Sequence, residues 1–445
     1  MAERLPMIKG IRGAPDLLPE EAEKWQRVEM AARRILSDYG YREIRTPIFE
    51  RTELFVRGIG EGTDIVEKEM YTFLDRGGES LTLRPEGTAP VVRAYLEHNL
   101  RAKASLVKVY YIGPMFRHER PQAGRFRQFH QIGAEALGLD HPALDVELLA
   151  LLDHLFHELK LQDLELHLNT IGDRICRPQF RERFKAFMEA KAHELCQDCH
   201  VRLRRNPLRI LDCKNEGCQR VAEKAPRPIH YLCRGCAEHW RRLESLLQLL
   251  KIDYVLNDRL VRGLDYYTRT TFEFINPALG AQNALAGGGR YDGLVEELGG
   301  PPTPGIGFAL GMERVVASLP EEPSAPSPPF HGVFIATLGT EAFRSGMLLL
   351  QELRRKGFRA AIDFEGRSLK GQLRQANKDR FRFSLILGDE ELRKREAILK
   401  DMEQGEQVEV PIAQVVEHLL QRCSMLDVRC SGPHVETPVP PPSSI

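Results

Sequence analysis

Five of the ten residues in 320–329, PEEPSAPSPP, are proline. Proline lacks the amide donor and fixes φ, so neither a helix nor a sheet ladder runs through such a segment. The chain is therefore expected to fold as a large part, 1–319, and a small part, 330–422, joined by a semi-extended linker at 320–329. Its 445 residues leave each part enough chain for its own core. Beyond 422 there is no apolar periodicity, and five more prolines fall in 431–445, so 423–445 reads as a disordered tail.

The small part alternates strand and helix at 333–338, 341–356, 359–363, 368–378 and 383–387. A strand near 408–410 and a helix through Val415 and Leu419 follow. This alternation predicts an α/β domain with a mostly parallel sheet. The large part does not alternate. An amphipathic helix at 20–39 is followed by strand-like runs at 41–47, 81–84, 106–116, 125–137, 254–257, 270–276 and 306–310. Many strands joined by tight turns predict an antiparallel sheet with flanking helices. From 174 to 245 the pattern turns basic, cysteine-rich and helical. That segment reads as an insertion dividing a catalytic unit into 1–173 and 246–319. The expected class is α+β.

Lys plus Arg and Asp plus Glu both total 63. Zero net charge excludes a globally basic nucleic-acid coat and an acidic solubilising chain, but not a local basic patch. Residues 367–400 hold ten Lys/Arg against five Asp/Glu, the footprint of an RNA-binding face. No apolar run approaches the ~18 residues of a membrane span. The N-terminus lacks the apolar stretch of a secretory signal. No phosphate-binding GxxxxGK[ST] loop and no Rossmann glycine fingerprint occur.

Five segments carry candidate chemistry. Arg117-His118-Glu119-Arg120, with Gln122, Gly124, Arg125 and Arg127, forms a basic hairpin mouth suited to a polyanion. In Leu83-Arg84-Pro85-Glu86-Gly87-Thr88, a strand-to-helix corner presents a carboxylate and a hydroxyl to an ammonium group; for Thr88 a plain helix cap is the bland reading. In Arg262-Gly263-Leu264-Asp265-Tyr266-Tyr267, strand alternation predicts the two tyrosines on opposite faces. Gly287-Gly288-Gly289-Arg290-Tyr291-Asp292 reads as a loop where backbone comes close to something. Gly305 to Arg314 is a glycine-rich strand entering a helix, where a flat ring can lie under Arg314.

Together these segments resemble the histidyl-tRNA synthetases, which are class II aminoacyl-tRNA synthetases. The resemblance runs from about Ile8 to about Leu420. Motif 1 looks like Tyr39-Gly40-Tyr41-Arg42-Glu43-Ile44-Arg45-Thr46-Pro47, motif 2 like Phe116 to Arg125, and motif 3 like the segment ending in Arg314. Residues 262–267 and 288–292 are similar to the two histidine-specific signatures. The resemblance implies a class II antiparallel catalytic domain with a helical insertion and a C-terminal anticodon-binding domain. It implies that Glu86, Thr88 and Gln131 hold the α-amino group of L-histidine, with Gly87 and Tyr266 in the same pocket, and that Glu135 and Tyr267 read the imidazole. Arg117, Arg125, Arg262 and Arg314 would bind ATP, with Arg262 and Arg117 catalytic at the α-phosphate. Mg²⁺ is implied by the ATP. A tRNA for histidine, a homodimer with Pro47 near its interface, and a cytoplasmic location are further implied. The alternative is an inactive paralogue that senses histidine; such proteins lack the anticodon domain and usually part of the arginine set.

Six of nine cysteines crowd between Cys196 and Cys236. Cys196-x2-Cys199 and Cys233-x2-Cys236, with Cys213 and Cys218 between them, have the spacing of structural Zn²⁺ ligands. Buried, unliganded thiols are the bland reading. The resemblance offers zinc no support.

Overall fold

The computed structural model describes residues 7–121, 124–320 and 331–425. Gln122, the linker from 321 to 330, and the tail beyond 425 lie outside the described residues. The chain divides into two compact units, one ending at Pro320 and one beginning at Glu321. Among the described residues no helix is long and apolar enough to cross a membrane.

The strands of the first unit are β1 (Arg42–Glu43), β2 (Phe49–Arg51), β3 (Tyr71–Leu74), β4 (Ser80–Leu83), β5 (Val107–Phe116), β6 (Gln128–Leu137), β7 (Glu165–Thr170), β8 (Val255–Leu256), β9 (Thr268–Ile275), β10 (Ala284–Arg290) and β11 (Gly305–Gly311). Its helices are α1 (Pro19–Asp38), α2 (Thr52–Ile59), α3 (Thr88–Glu97), α4 (Pro142–Glu158), α5 (Arg177–Ala190), α6 (Gln197–Arg205), α7 (Glu216–Ala222), α8 (Arg234–Leu250), α9 (Leu294–Glu297) and α10 (Met312–Ser318). Helix α1 forms where its apolar spacing predicts. Pro19 sits in its first turn, and Trp25, Val28, Ala32, Ile35 and Leu36 are its buried stripe.

Eight strands form one sheet in the order β1-β5-β6-β11-β10-β9-β7-β8. The pairings from β5 through to β7 are antiparallel, and only the edge pairs β1/β5 and β7/β8 are parallel. β2, β4 and β3 form a separate three-stranded sheet. In β11, Gly305-Ile306-Gly307-Phe308-Ala309-Leu310-Gly311 alternates small and large residues. Ile306, Phe308 and Leu310 enter the main core with Ile132, Phe272 and the leucines of α4. The opposite face is left almost bare.

Two expectations are corrected. Of 41–47 only Arg42 and Glu43 pair in the sheet. The chain then leaves it, and the guanidinium of Arg84 takes the Thr46 carbonyl at 3.0 Å and that of Pro114 at 2.9 Å. Residues 287–290 are not a loop. They belong to β10, a buried strand paired on both sides. A Cβ on Gly288 would stand 2.1 Å from the Gly307 carbonyl oxygen, so its glycine serves close strand approach rather than a turn.

The insertion has its own small core around Phe180, Phe184, Met188, Leu203, Ile210 and Val221. Helix α8 runs through residue 245, where the insertion was expected to end, and its Trp240, Leu243 and Leu247 join the main core.

The second unit contains β12 (Val333–Thr337), β13 (Ala360–Ile362), β14 (Phe383–Leu387), β15 (Glu396–Asp401) and β16 (Gln407–Pro411), with α11 (Thr340–Arg355), α12 (Leu369–Lys378), α13 (Asp389–Lys394) and α14 (Val415–Met425). Its sheet order is β13-β12-β14-β15-β16. The first three strands are parallel as expected, but β15 and β16 join antiparallel, so the sheet is mixed rather than mostly parallel. Helix α14 reaches Met425, past residue 423 where the tail was expected to begin.

A buried network ties β10 to the helices behind the sheet. Arg290, fully buried, reaches Asp145 Oδ1 of α4 at 3.2 Å. Asp145 Oδ2 also lies 2.8 Å from His239 Nε2 of α8 and accepts from the Thr270 hydroxyl at 2.6 Å. Arg290 also lies 3.5 Å from Asp140 and from Asp292, but Asp145 is its fully buried partner, and removing one member of a buried pair costs about 3 kcal/mol. Asp145→Ala is therefore expected to lower the urea midpoint of the first unit. The double variant Asp145→Leu/Arg290→Met should recover much of the loss. A single variant as stable as the parent would contradict this.

Candidate active site

The bare face of the sheet is the floor of a cavity of about 330 Å³. In register across it lie Gln131, Gly133 and Glu135 of β6, opposite Gly311, Ala309 and Gly307 of β11. Gly287 of β10 pairs with Ala309 on one side and with Glu273 of β9 on the other. Side chains from around the sheet lie flat in this space. A Cβ on Gly307 would stand 1.7 Å from a Glu135 oxygen, one on Gly133 2.2 Å from the Tyr111 ring, and one on Gly287 2.4 Å from the Arg262 guanidinium. Gly87 is excluded from growth in the same way, 2.3 Å from Tyr111.

Gln131 is the one predicted histidine-binding residue that lines the cavity itself. Beside the cavity, along β6 past Gln131, is a buried cluster of carboxylates and hydroxyls. Glu86 accepts the amides of Thr88 at 2.7 Å and Ala89 at 2.8 Å, so this carboxylate caps α3. Thr88 is not the cap. Its hydroxyl donates to Glu135 Oε1 at 2.7 Å, and the Tyr291 hydroxyl donates to Oε2 at 2.6 Å. Burial raises the Glu135 pKa to about 8, against the lowering effect of both hydroxyls. Burial also raises that of Glu86, against its two amides. The Gln131 side-chain oxygen is buried without a partner. Tyr266 and Tyr267 are both buried in one cluster, their ring centroids 4.8 Å apart. Residues 262–267 do not form a strand, so the expected placement on opposite faces fails.

The lining of the cavity itself is cationic. Arg117, Arg125, Lys214, Arg262 and Arg314 face the cavity with Glu119, Glu273 and Glu313. Arg117 is anchored by donation to the Pro85 carbonyl at 2.9 Å and lies over the Phe129 ring. Arg125 lies 3.2 Å from Glu119. Arg314 donates to the carbonyls of Ala284 at 2.8 Å and Gly124 at 3.0 Å. Burial, then the charge of Arg125, lower its pKa; a neighbouring anion would favour its charged form. Arg262 pairs with Glu273 and interacts with Tyr267. Burial opposes its charge, but these partners win and its pKa is raised.

Every predicted histidine- and ATP-binding residue among those named thus falls on this face or in the cluster beside it. Tyr266 is a supporting ring, packed edge-on against Tyr291. Sequence reasoning gave no role to Tyr291, Tyr111, Glu273 or Lys214. Glu273 had a signal, a lone charge in the apolar strand TFEFI. Lys214 had none, because only folding of the insertion brings it to the cavity.

The cysteines were misgrouped. The two CxxC pairs do not form one site. Cys196 and Cys199 gather with Cys213 and Cys218, whereas Cys233 and Cys236 gather with Cys176 and Asp173.

A family model for histidyl-tRNA synthetase matches residues 13–315, and one for an anticodon binding domain matches 332–422. The chain belongs to the histidyl-tRNA synthetase family. A histidine–tRNA ligase from Syntrophotalea carbinolica is 51% identical over 415 residues, covering 93% of this chain and 99% of the relative. One from Moorella thermoacetica is 52% identical over 409 residues, covering 92% and 96%. The crystal structure of the apo S. aureus histidyl-tRNA synthetase superposes with a TM-score of 0.78 at 39% identity, covering 93% of this chain and 99% of that one. The class II architecture and the separate C-terminal domain are thus those of the family.

A folded-state carboxyl with pKa about 8 keeps its proton where the unfolded chain has released it. Stability is then expected to fall as pH rises from about 4.5 to about 8, by up to ~1.4 kcal/mol per unit. Glu135→Gln should flatten that slope in ligand-free protein, read from urea midpoints at pH 5.5, 7 and 8.5. Parallel profiles for parent and variant would contradict the assignment.

Proposed function

We propose that this cavity binds ATP and L-histidine side by side and that the chain joins histidine to its tRNA in two steps. The histidine carboxylate attacks the α-phosphorus, forming histidyl-adenylate as the bond to pyrophosphate breaks. A terminal ribose hydroxyl of the tRNA then attacks the activated carbonyl, and AMP leaves. The observation that carries the reading is the joining of two unlike environments on one glycine floor. A buried cluster of carboxyl, amide and hydroxyl oxygens suits imidazole and ammonium donors, and an arginine-rich cavity suits a triphosphate.

Glu86, Thr88 and Gln131 hold the α-amino group; the unpartnered Gln131 oxygen supports this, since an ammonium supplies the missing donor. Glu135 and Tyr267 read the imidazole, with Tyr291 holding Glu135 in place. Arg117 and Arg262 act on the α-phosphate, where charge grows during attack. Arg314 and Arg125 hold the base and the outer phosphates. No nucleophile or triad is needed, because positioning and charge stabilisation carry phosphoryl displacement. Magnesium would arrive with the ATP and neutralise part of its triphosphate charge; Glu119, Glu273 and Glu313 line the cavity but are engaged with Arg125, Arg262 and His130. An inactive histidine sensor would not need these arginines together with residues 332–422.

Residues 330–422 bind the anticodon arm, through the basic surplus of 367–400. The chain works as a homodimer in the cytoplasm. Ile48, Phe49, Phe73 and Leu74 are exposed near motif 1, an apolar patch that supports a second copy covering it.

Arg262→Ala is expected to cut histidine-dependent ATP–pyrophosphate exchange roughly a hundredfold, ~3 kcal/mol of transition-state stabilisation, with tRNA binding largely kept. A folded variant that exchanges at the parent rate would overturn the role given to Arg262.

A further inference from the structure

We infer that the chain holds two structural zinc ions. One sits within the insertion on Cys196, Cys199, Cys213 and Cys218; the other sits at its root on Asp173, Cys176, Cys233 and Cys236. In each group the four ligand atoms lie within 4.8 Å of one another. A tetrahedral zinc with ordinary bond lengths sets its ligand sulfurs about 3.8 Å apart, and a sulfur and a carboxylate oxygen about 3.5 Å apart. The observed separations match. Cys196 Sγ and Cys213 Sγ are 3.8 Å apart, as are Cys176 Sγ and Cys236 Sγ. Asp173 Oδ1 lies 3.5 Å from Cys176 Sγ and 3.8 Å from Cys233 Sγ. These spacings are too long for a disulfide. They are too compact for an iron–sulfur cluster, whose cysteines surround several metal atoms. Sulfur-rich tetrahedral sites of this size select zinc.

The local structure is built for the ions. Cys196 and Cys233 stand at the N-cap positions of α6 and α8 without a side-chain capping bond, so each CxxC pair spans the first turn of a helix and its sulfurs are left for other partners. Cys176 stands likewise at the N-cap position of α5. The sulfurs also receive backbone amides: Cys196 N–H donates to Cys218 Sγ at 3.2 Å, and Asp173 N–H to Cys176 Sγ at 3.4 Å. Packing alone does not explain two separate tetrads. The insertion's core is small, and domains of that size commonly need a metal or disulfide staple.

Each ion fixes a residue that reaches the active site. Lys214, which lines the nucleotide cavity, follows Cys213 directly. Asp173 lies 3.6 Å from Arg269 on β9, and Arg177, next to Cys176, donates to the Tyr267 carbonyl. The first ion therefore holds the segment that brings Lys214 to the cavity, and the second fixes the root of the insertion beside β9 and Tyr267.

The test is metal analysis of the full-length chain, purified without a His tag or added zinc and dialysed against metal-free buffer. Two zinc per chain are expected. Cys218→Ser and Cys236→Ser should each keep one, and the seven cysteines from Cys176 to Cys236 should resist thiol reagents in the native state. Fewer than about 1.5 equivalents, iron in place of zinc, or freely titrating thiols would overturn the inference. Should a variant not fold, native mass spectrometry of the parent decides alone: two bound ions support the sites, and one or none overturns them.

Discussion

The active site depends on side chains being absent from one face of the central sheet. Gly307, Gly311 and Gly287 leave β10 and β11 bare where Ile306, Phe308 and Leu310 fill the other face. The bareness creates room for large polar groups to lie flat. Glu135, Tyr111 and Arg262 lie where a Cβ on Gly307, Gly133 and Gly287 respectively would stand. A methyl group at any of these places would push a functional group off the floor, not merely narrow a pocket.

That geometry also sets the electrostatics. Groups lying against the sheet lose water on one side. Burial then pushes Glu135 toward neutrality, while Glu273 keeps Arg262 charged. The two outcomes suit the two tasks proposed for these residues, reading a heteroaromatic ring and stabilising a growing phosphate charge. Behind the floor, Arg290 and Asp145 hold β10 against α4. The strand that supplies Gly287 is thereby fixed by a buried charge pair on its far side.

Much of this was legible in the residues. The alternation Gly-Ile-Gly-Phe-Ala-Leu-Gly announced one small and one large face, and the arginine segments announced a polyanion. The three glycines at 287–289 were read as a loop because glycine usually marks a turn. Their role as spacers shows only when β9 and β11 are placed beside them. The edge of 41–47 failed because the demands of Arg84 on the Thr46 carbonyl come from residues far along the chain. The cysteine pairs were assigned to one site because spacing within a pair is local, whereas partnership between pairs is set by folding. Cys176 and Asp173 carried no CxxC spacing at all, so the second group was invisible to pattern reading.

The floor is tested most directly by Gly287→Ala. The three atoms nearest the new methyl all belong to the Arg262 guanidinium, so the flexible side chain rather than the backbone gives way and Arg262 is displaced from its pair with Glu273. The account predicts that histidine-dependent ATP–pyrophosphate exchange falls at least about tenfold, ~1.4 kcal/mol in the barrier. Parent-level exchange in the folded variant would contradict it.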